Sequence, residues 1–167
     1  MEVSELGGRS EELELFFPKL KTGQYKVTSP KDRKYNCVAW AVGSSHHWWE
    51  YVDFPSRQYY WPPGLTRDDN ISDWQRVFEI HGYSVCENAE FEPEFEKVAI
   101  YAYSNDEPTH VARQLETGTW TSKLGRGMDI EHETLDLLTG EEAHEYGYVV
   151  LIMSRKRSNM VVSDAEA

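Results

Sequence analysis

The chain has little cysteine: Cys37 and Cys86 are the only two in 167 residues. With no secretory signal in the sequence, such a pair reads as two free thiols rather than a disulfide framework. Positive charge is also scarce, since 17 Lys and Arg against 29 Asp and Glu leave a net charge of −12. An acidic surface is repelled by nucleic-acid backbones and anionic membranes, so neither is expected as a partner. No apolar run approaches the ~20 residues that cross a bilayer, and the N-terminus lacks a basic start followed by an apolar stretch. A cytoplasmic protein is therefore expected, with non-classical export left open. His46 and His47 stand without a third and fourth ligand, because the sequence holds no compact Cys/His cluster. No metal and no cofactor is expected. Repeats and low-complexity tracts are absent too.

Aromatic residues are plentiful, at 13% with six Trp, too many for a disordered chain. The length suits one domain. Its expected extent is 16–153, after a loosely ordered start (1–15) and before a disordered tail (154–167). Acidic residues cluster: 87–96 carries five Glu and no base, and 1–14 carries five Glu against Arg9. Both runs read as solvated faces, and Arg113 is a candidate ion-pair partner for the first.

In YNCVAWAVG (35–43), Asn36 is a good helix N-cap and Gly43 a good stop. Val38–Val42 has no charged or hydrogen-bonding aliphatic side chain, so this short helix should be surrounded by protein. Residues 44–64 form a long aromatic loop, a length usual for functional segments. Ser72 and Gln75 read as a capping box ahead of a helix that ends at Gly82. KVAIYAY (97–103) is a strand, and THVARQL (109–115), ETG (116–118) and TWTSKLG (119–125) form a hairpin with Gly118 at the left-handed position. In that register, residues whose numbers sum to 234 lie opposite each other. Asp129 is expected to cap a helix running to about Leu138, and YGYVVLIM (146–153) is the last strand. Helices first and a mainly antiparallel sheet second is the α+β pattern.

The residues that carry chemistry are Cys37, His110 and a third group. Cys37 falls on the first turn of its helix, where the positive end of the helix dipole favours thiolate. A buried small hydrophobe is the alternative role for it. His110, on a strand, could serve that thiol as base and then acid. Ser122 shares its strand face and could accept the other ring N–H, setting the tautomer. Asp129 is the alternative orienter, though better suited to capping, and a water is a third. His132 reads as structural or exposed, Cys86 as inert, and Lys123 as pointing away from His110. Trp48, Trp49 and Tyr60 either wall a substrate groove or cover the core.

The string Tyr35-Asn36-Cys37-Val38-Ala39-Trp40 resembles the Tyr-Asp-Cys-Ser-Gly-Phe signature of the NlpC-type papain-like cysteine peptidases. His110-Val111-Ala112 is similar to that family's His-Val-Gly-like string, and Ser122 stands where its third polar residue follows, one hairpin later. More closely, the run from about residue 20 to 155 resembles a family of uncharacterised proteins. That likeness rests on TSP (28–30), YNCVAWA, YWP (60–62), KVAIYA, THVARQL, WTSKLG and the Asp129-Ile130…His132 stretch. The resemblance implies Cys37 as nucleophile, His110 as base and Tyr35 beside the oxyanion position. The Cys37 amide would be an oxyanion donor, with Asn36 among the substrate-side residues. Two departures stand out: Asn36 and Val38 replace the flanking Asp and Ser, and Ser122 replaces the usual His, Asn or Gln.

The expectation is thus a papain-like α+β domain. Its expected activity is hydrolysis of amide, peptide or related acyl bonds through a Cys37 acyl-enzyme. A degenerate domain that binds a peptide or partner protein, and an acyl-transferring effector, are the alternatives. Oligomeric state is not legible.

Overall fold

Residues 6–142 and 144–157 are described by the structure, a computed structural model. The chain start is more ordered than its composition suggests. Ser10 is buried and its Oγ accepts from the Leu13 amide, so residues 11–15, expected to be loose, lie in helix α1 (Glu11–Phe16), which buries Leu13. After a 3₁₀ turn (Pro18–Lys21) come strand β1 (Tyr25–Val27) and helix α2 (Cys37–Val42). Asn36 caps α2 through Oδ1, which accepts from the Ala39 amide at 3.2 Å, and Gly43 closes it at φ 106°. Both ends are where the sequence puts them.

The aromatic loop is a built element. β2 (Trp48–Trp49) and β3 (Tyr59–Tyr60) pair in parallel, Trp48 opposite Tyr59 and Trp49 opposite Tyr60. Helix α3 (Ile71–Ile80) starts one residue before Ser72, and its cap is Asn70, whose Oδ1 accepts from Asp73 N at 2.8 Å. The predicted capping box does not form, because Asn70 already satisfies the amide one helix position ahead of Trp74.

The rest is sheet: β4 (Ser84–Cys86), β5 (Phe95–Ala102), β6 (Pro108–Gln114), β7 (Trp120–Lys123), β8 (Asp129–His132) and β9 (Tyr148–Lys156). Seven strands stand in the order β1-β8-β7-β6-β5-β9-β4, and every neighbouring pair is antiparallel. The fold is mixed α+β with few helices. The ETG hairpin has the predicted register: Arg113 faces Thr121, Gln114 faces Trp120, and Gly118 sits at φ 92°.

Two readings are overturned. Asp129 opens strand β8, not a helix; only a 3₁₀ turn (Leu135–Leu138) follows. The turn closed by Leu124 N–H to Met128 O brings β8 onto β7, and β1, about a hundred residues earlier in sequence, zips its other edge. Strand β9 also runs past Met153 to Lys156, held by Arg155 to Glu96 and by pairing with Phe95. The expected tail boundary at 154 is therefore wrong for residues 154–156, and 158–167 lie outside the described residues.

Both faces of the sheet are covered. Ala99, Tyr101, Ala112, Trp120 and Ile130 pack with Leu13, Phe17 and Leu138 on one side. Val98, Ile100, Val111 and Met153 pack with α2 and α3 on the other. Alternate residues of β5 serve the two clusters, which is why KVAIYAY has no polar phase. Among the described residues, no helix is long and apolar enough to cross a membrane.

Candidate active site

His110, Ser122 and His132 sit on three adjacent strands and face one side of the sheet, all fully buried. His110 Nε2 lies 2.8 Å from Ser122 Oγ, and Ser122 Oγ lies 2.8 Å from His132 Nε2. The other His132 nitrogen, Nδ1, is 3.0 Å from the Thr134 carbonyl oxygen. A carbonyl can only accept, so proton positions follow in sequence. His132 Nδ1 donates to Thr134 O, which leaves Nε2 of a neutral ring as acceptor. Ser122 O–H donates to it, and Ser122 Oγ in turn accepts from His110 Nε2–H. The chain ends with His110 Nδ1 bare: an acceptor, buried and without a partner.

Burial keeps both rings neutral. It drives His110 well below the usual imidazole range, helped by the nearby His132, and lowers His132 to about 4. The His110 ring is clamped as well as wired. Tyr146 stacks on it at 4.3 Å and 5°, and Tyr101 meets it edge-on at 5.3 Å. Thr109 Oγ1 donates to the Tyr146 carbonyl, and Tyr101 O–H to that of Leu135.

Cys37 approaches from the other cluster. Leu115 N–H donates to Thr119 O, so by the two-residue strand period the amides of Arg113 and Val111 also point toward β7. Arg113 still pairs with Thr121, where the ladder begins to end. Val111, one step on, has no ladder partner on β7, and its amide is one of three that pull the Cys37 thiol downward. The β6–β7 ladder ends there, and α2 packs against both strands. Cys37 therefore packs in one buried cluster with Val111, the residue that follows His110. No hydrogen bond joins Cys37 to His110.

One electrostatic expectation is reversed. Desolvation by burial raises the Cys37 thiol to about 11, against the smaller downward pull of the three amides and of Lys123. A six-residue helix has little dipole to offset the loss of water. The resting pair is a thiol and a neutral imidazole.

The remaining candidates divide. Ser122 makes the contact with the His110 ring that its strand face predicts. Asp129 does not orient His110: its Oδ2 accepts from Tyr35 O–H at 2.7 Å on the opposite side of the sheet. Tyr35 is thereby committed to Asp129, and Lys123 lies over its ring at 4.9 Å. Lys123 does point away from His110, and its Nζ donates to the carbonyls of Asp32, Gly125 and Gly127. Asn36 and Trp49 are buried structural groups rather than substrate-side ones. Asn36 Oδ1 accepts from the Trp49 amide, and Nδ2 donates to the Trp49 carbonyl. Trp48 and Tyr60 stay partly exposed on the short β2–β3 ribbon, Tyr60 tilted against Trp49 at 4.7 Å. Arg113 does not serve the acidic run; it donates to the Trp40 carbonyl and lies over that ring, while Arg155 and Lys97 pair with Glu96 and Glu92. Cys86 is partly exposed on β4.

Sequence reasoning missed His132 and Tyr146. The missing signal for His132 was its strand: read as helix, residues 129–132 put it on no shared face with Ser122. Tyr146 follows a turn and reaches His110 only through tertiary packing.

Residues 26–154 match the family model described as Domain of unknown function (DUF7689). No curated protein and no solved structure matches.

Proposed function

The chain belongs to the DUF7689 family, and we propose that it is a cysteine hydrolase of amide, peptide or related acyl bonds, with a papain-like arrangement of its α+β fold. The observation that carries this reading is the bare, buried Nδ1 of His110, held in one tautomer by Ser122 and His132, on the strand whose next residue, Val111, packs in one cluster with Cys37. Further support comes from the chain order. A helix opening on Cys37 comes first, then the His110 strand, then the Ser122 strand, as in the NlpC-type peptidases the sequence resembles.

In this mechanism His110 Nδ1 takes the Cys37 thiol proton as the sulfur adds to the substrate carbonyl carbon. The carbonyl oxygen becomes an oxyanion near the amides at the start of α2. The C–N bond then breaks, and the amine leaves with the proton from His110, giving a thioester on Cys37. Water adds next, with its proton going to His110. The C–S bond breaks, the acid leaves, and the proton returns to sulfur. An amine in place of water would make the same site an acyltransferase. The raised thiol fits a nucleophile deprotonated only in concert with attack.

The burial of Cys37, and its lack of a hydrogen bond to His110, favour the second reading: a degenerate domain that binds a peptide or partner protein. An epoxysuccinyl-peptide probe separates the two. Mass spectrometry should find an adduct on Cys37 and none after Cys37→Ala. His110→Gln should slow labelling roughly 10²-fold or more while circular dichroism shows the fold intact. Labelling of Cys37 no faster than Cys86, or unchanged by His110→Gln, would refute the hydrolase.

A further inference from the structure

A cavity of about 790 Å³ opens beside the site, and its chemistry differs from that of the chain around it. Its apolar lining includes Phe16, Phe17, Met128 and Tyr146. Tyr146 is shared with the candidate active site, since one face of its ring stacks on His110. Leu124 also lines the cavity, and in the hairpin register it would lie opposite His110. Cys37 and His110 do not line the cavity themselves; Tyr146 is the wall it shares with the site.

Its rim is cationic. Among the described residues, Lys31, Arg33 and Arg126 line it against Glu12 as the only carboxylate, in a protein of net charge −12. Lys31 is spent on Glu12 at 3.0 Å. Arg33 and Arg126 are exposed and make no ion pair among the described residues. The backbone under Arg126 is fixed: Lys123 Nζ binds the carbonyls of Gly125 and Gly127 on either side of it. The guanidinium is steadied over Trp48 at 5.6 Å, which ties the aromatic ribbon to this rim. Two unpaired guanidinium groups at the mouth of an aromatic pocket match a carboxylate on an apolar body.

We infer that this cavity is the acyl-side subsite, selecting substrates whose acyl portion is apolar and carries a carboxylate that Arg33 and Arg126 bind. The inference rests on the hydrolase reading for its chemistry and on the pocket alone for its selectivity.

The test compares glutaryl-Phe-aminomethylcoumarin with its neutral isostere, in which the glutaryl carboxylate is an amide, on the full chain. The expected result is a kcat/KM at least about tenfold higher for the carboxylate, expressed in KM and reduced by salt. Arg33→Gln/Arg126→Gln should bring the ratio near one, and Arg33→Lys/Arg126→Lys should keep most of it. Equal hydrolysis of both probes, abolished by Cys37→Ala, overturns the subsite and leaves the hydrolase standing. If neither probe is cleaved, the hydrolase reading fails on them, and binding decides the subsite. Glutaryl-Phe titrated into Cys37→Ala, followed by tryptophan fluorescence, should then bind more tightly than its amide and lose that margin in the double Gln variant. Absent or equal binding overturns the inference.

Discussion

At the scale of single residues, Ser122 is the joint on which the site depends. Its hydroxyl answers two buried ring nitrogens at once, accepting from His110 and donating to His132. Ser122→Ala leaves a donor and an acceptor unsatisfied in a dry interior. At roughly 1–3 kcal/mol for each, the variant should lose about 2–6 kcal/mol of stability, read from urea unfolding. A loss below about 0.5 kcal/mol would mean the chain of hydrogen bonds does not exist as described. The same residue shows what one strand can and cannot disclose. Its place on the His110 face is legible from the hairpin register. Its second partner is not, because His132 arrives on a strand whose existence depends on β1.

At the scale of elements, the decisive events are where strands part and where they begin. The β6–β7 ladder ends after two paired residues, and α2 packs against both strands. β9 begins at Tyr148 after Gly147, which lies at φ 78° against the Ala102 carbonyl. Gly43, closing α2, also has positive φ, but open space surrounds its Cβ position. The pair separates backbone strain from collision. Gly43→Ala should cost about 1 kcal/mol, from the left-handed conformation alone. Gly147→Ala adds overlap with a strand backbone that cannot step aside, and should cost roughly 1–3 kcal/mol more. Equal losses in thermal unfolding would show that β9 can shift without penalty. Gly43 was legible as a helix stop; the collision at Gly147 depends on β5 and on no local sequence signal.

For the whole molecule, the two buried histidines couple folding to pH. His132 stays neutral down to about 4 in the folded state, against 6.5 as its ordinary value, and burial also drives His110 well below the usual imidazole range. The unfolded chain therefore binds protons that the folded chain refuses. Stability is fully present above about pH 6.5 and falls as pH drops, with the His132 share, about 3 kcal/mol, gone by about pH 4. His110 acts in the same direction. Asp129, raised by burial, acts in the opposite sense at the acid end. Urea midpoints measured from pH 7.5 to 4.5 should hold to about pH 6.5 and fall below it, and His132→Gln should flatten that fall. A flat wild-type profile would count against neutral buried rings.

The sequence by itself determined the capped helix that starts at Cys37, the ETG hairpin register and the shared face of His110 and Ser122. Each follows from local rules: a side chain reaching an amide three residues on, a glycine at positive φ, a two-residue period. The scarcity of cysteine and of positive charge likewise marked Cys37 as one of two free thiols in an acidic chain. Tertiary structure decided everything that needed a distant partner. It turned residues 129–132 into a strand by pairing them with β1, placed His132 behind Ser122, and set Tyr146 on His110. It also raised the thiol of Cys37, because a sulfur closed in by β6 and β7 loses more from water than six helical residues return.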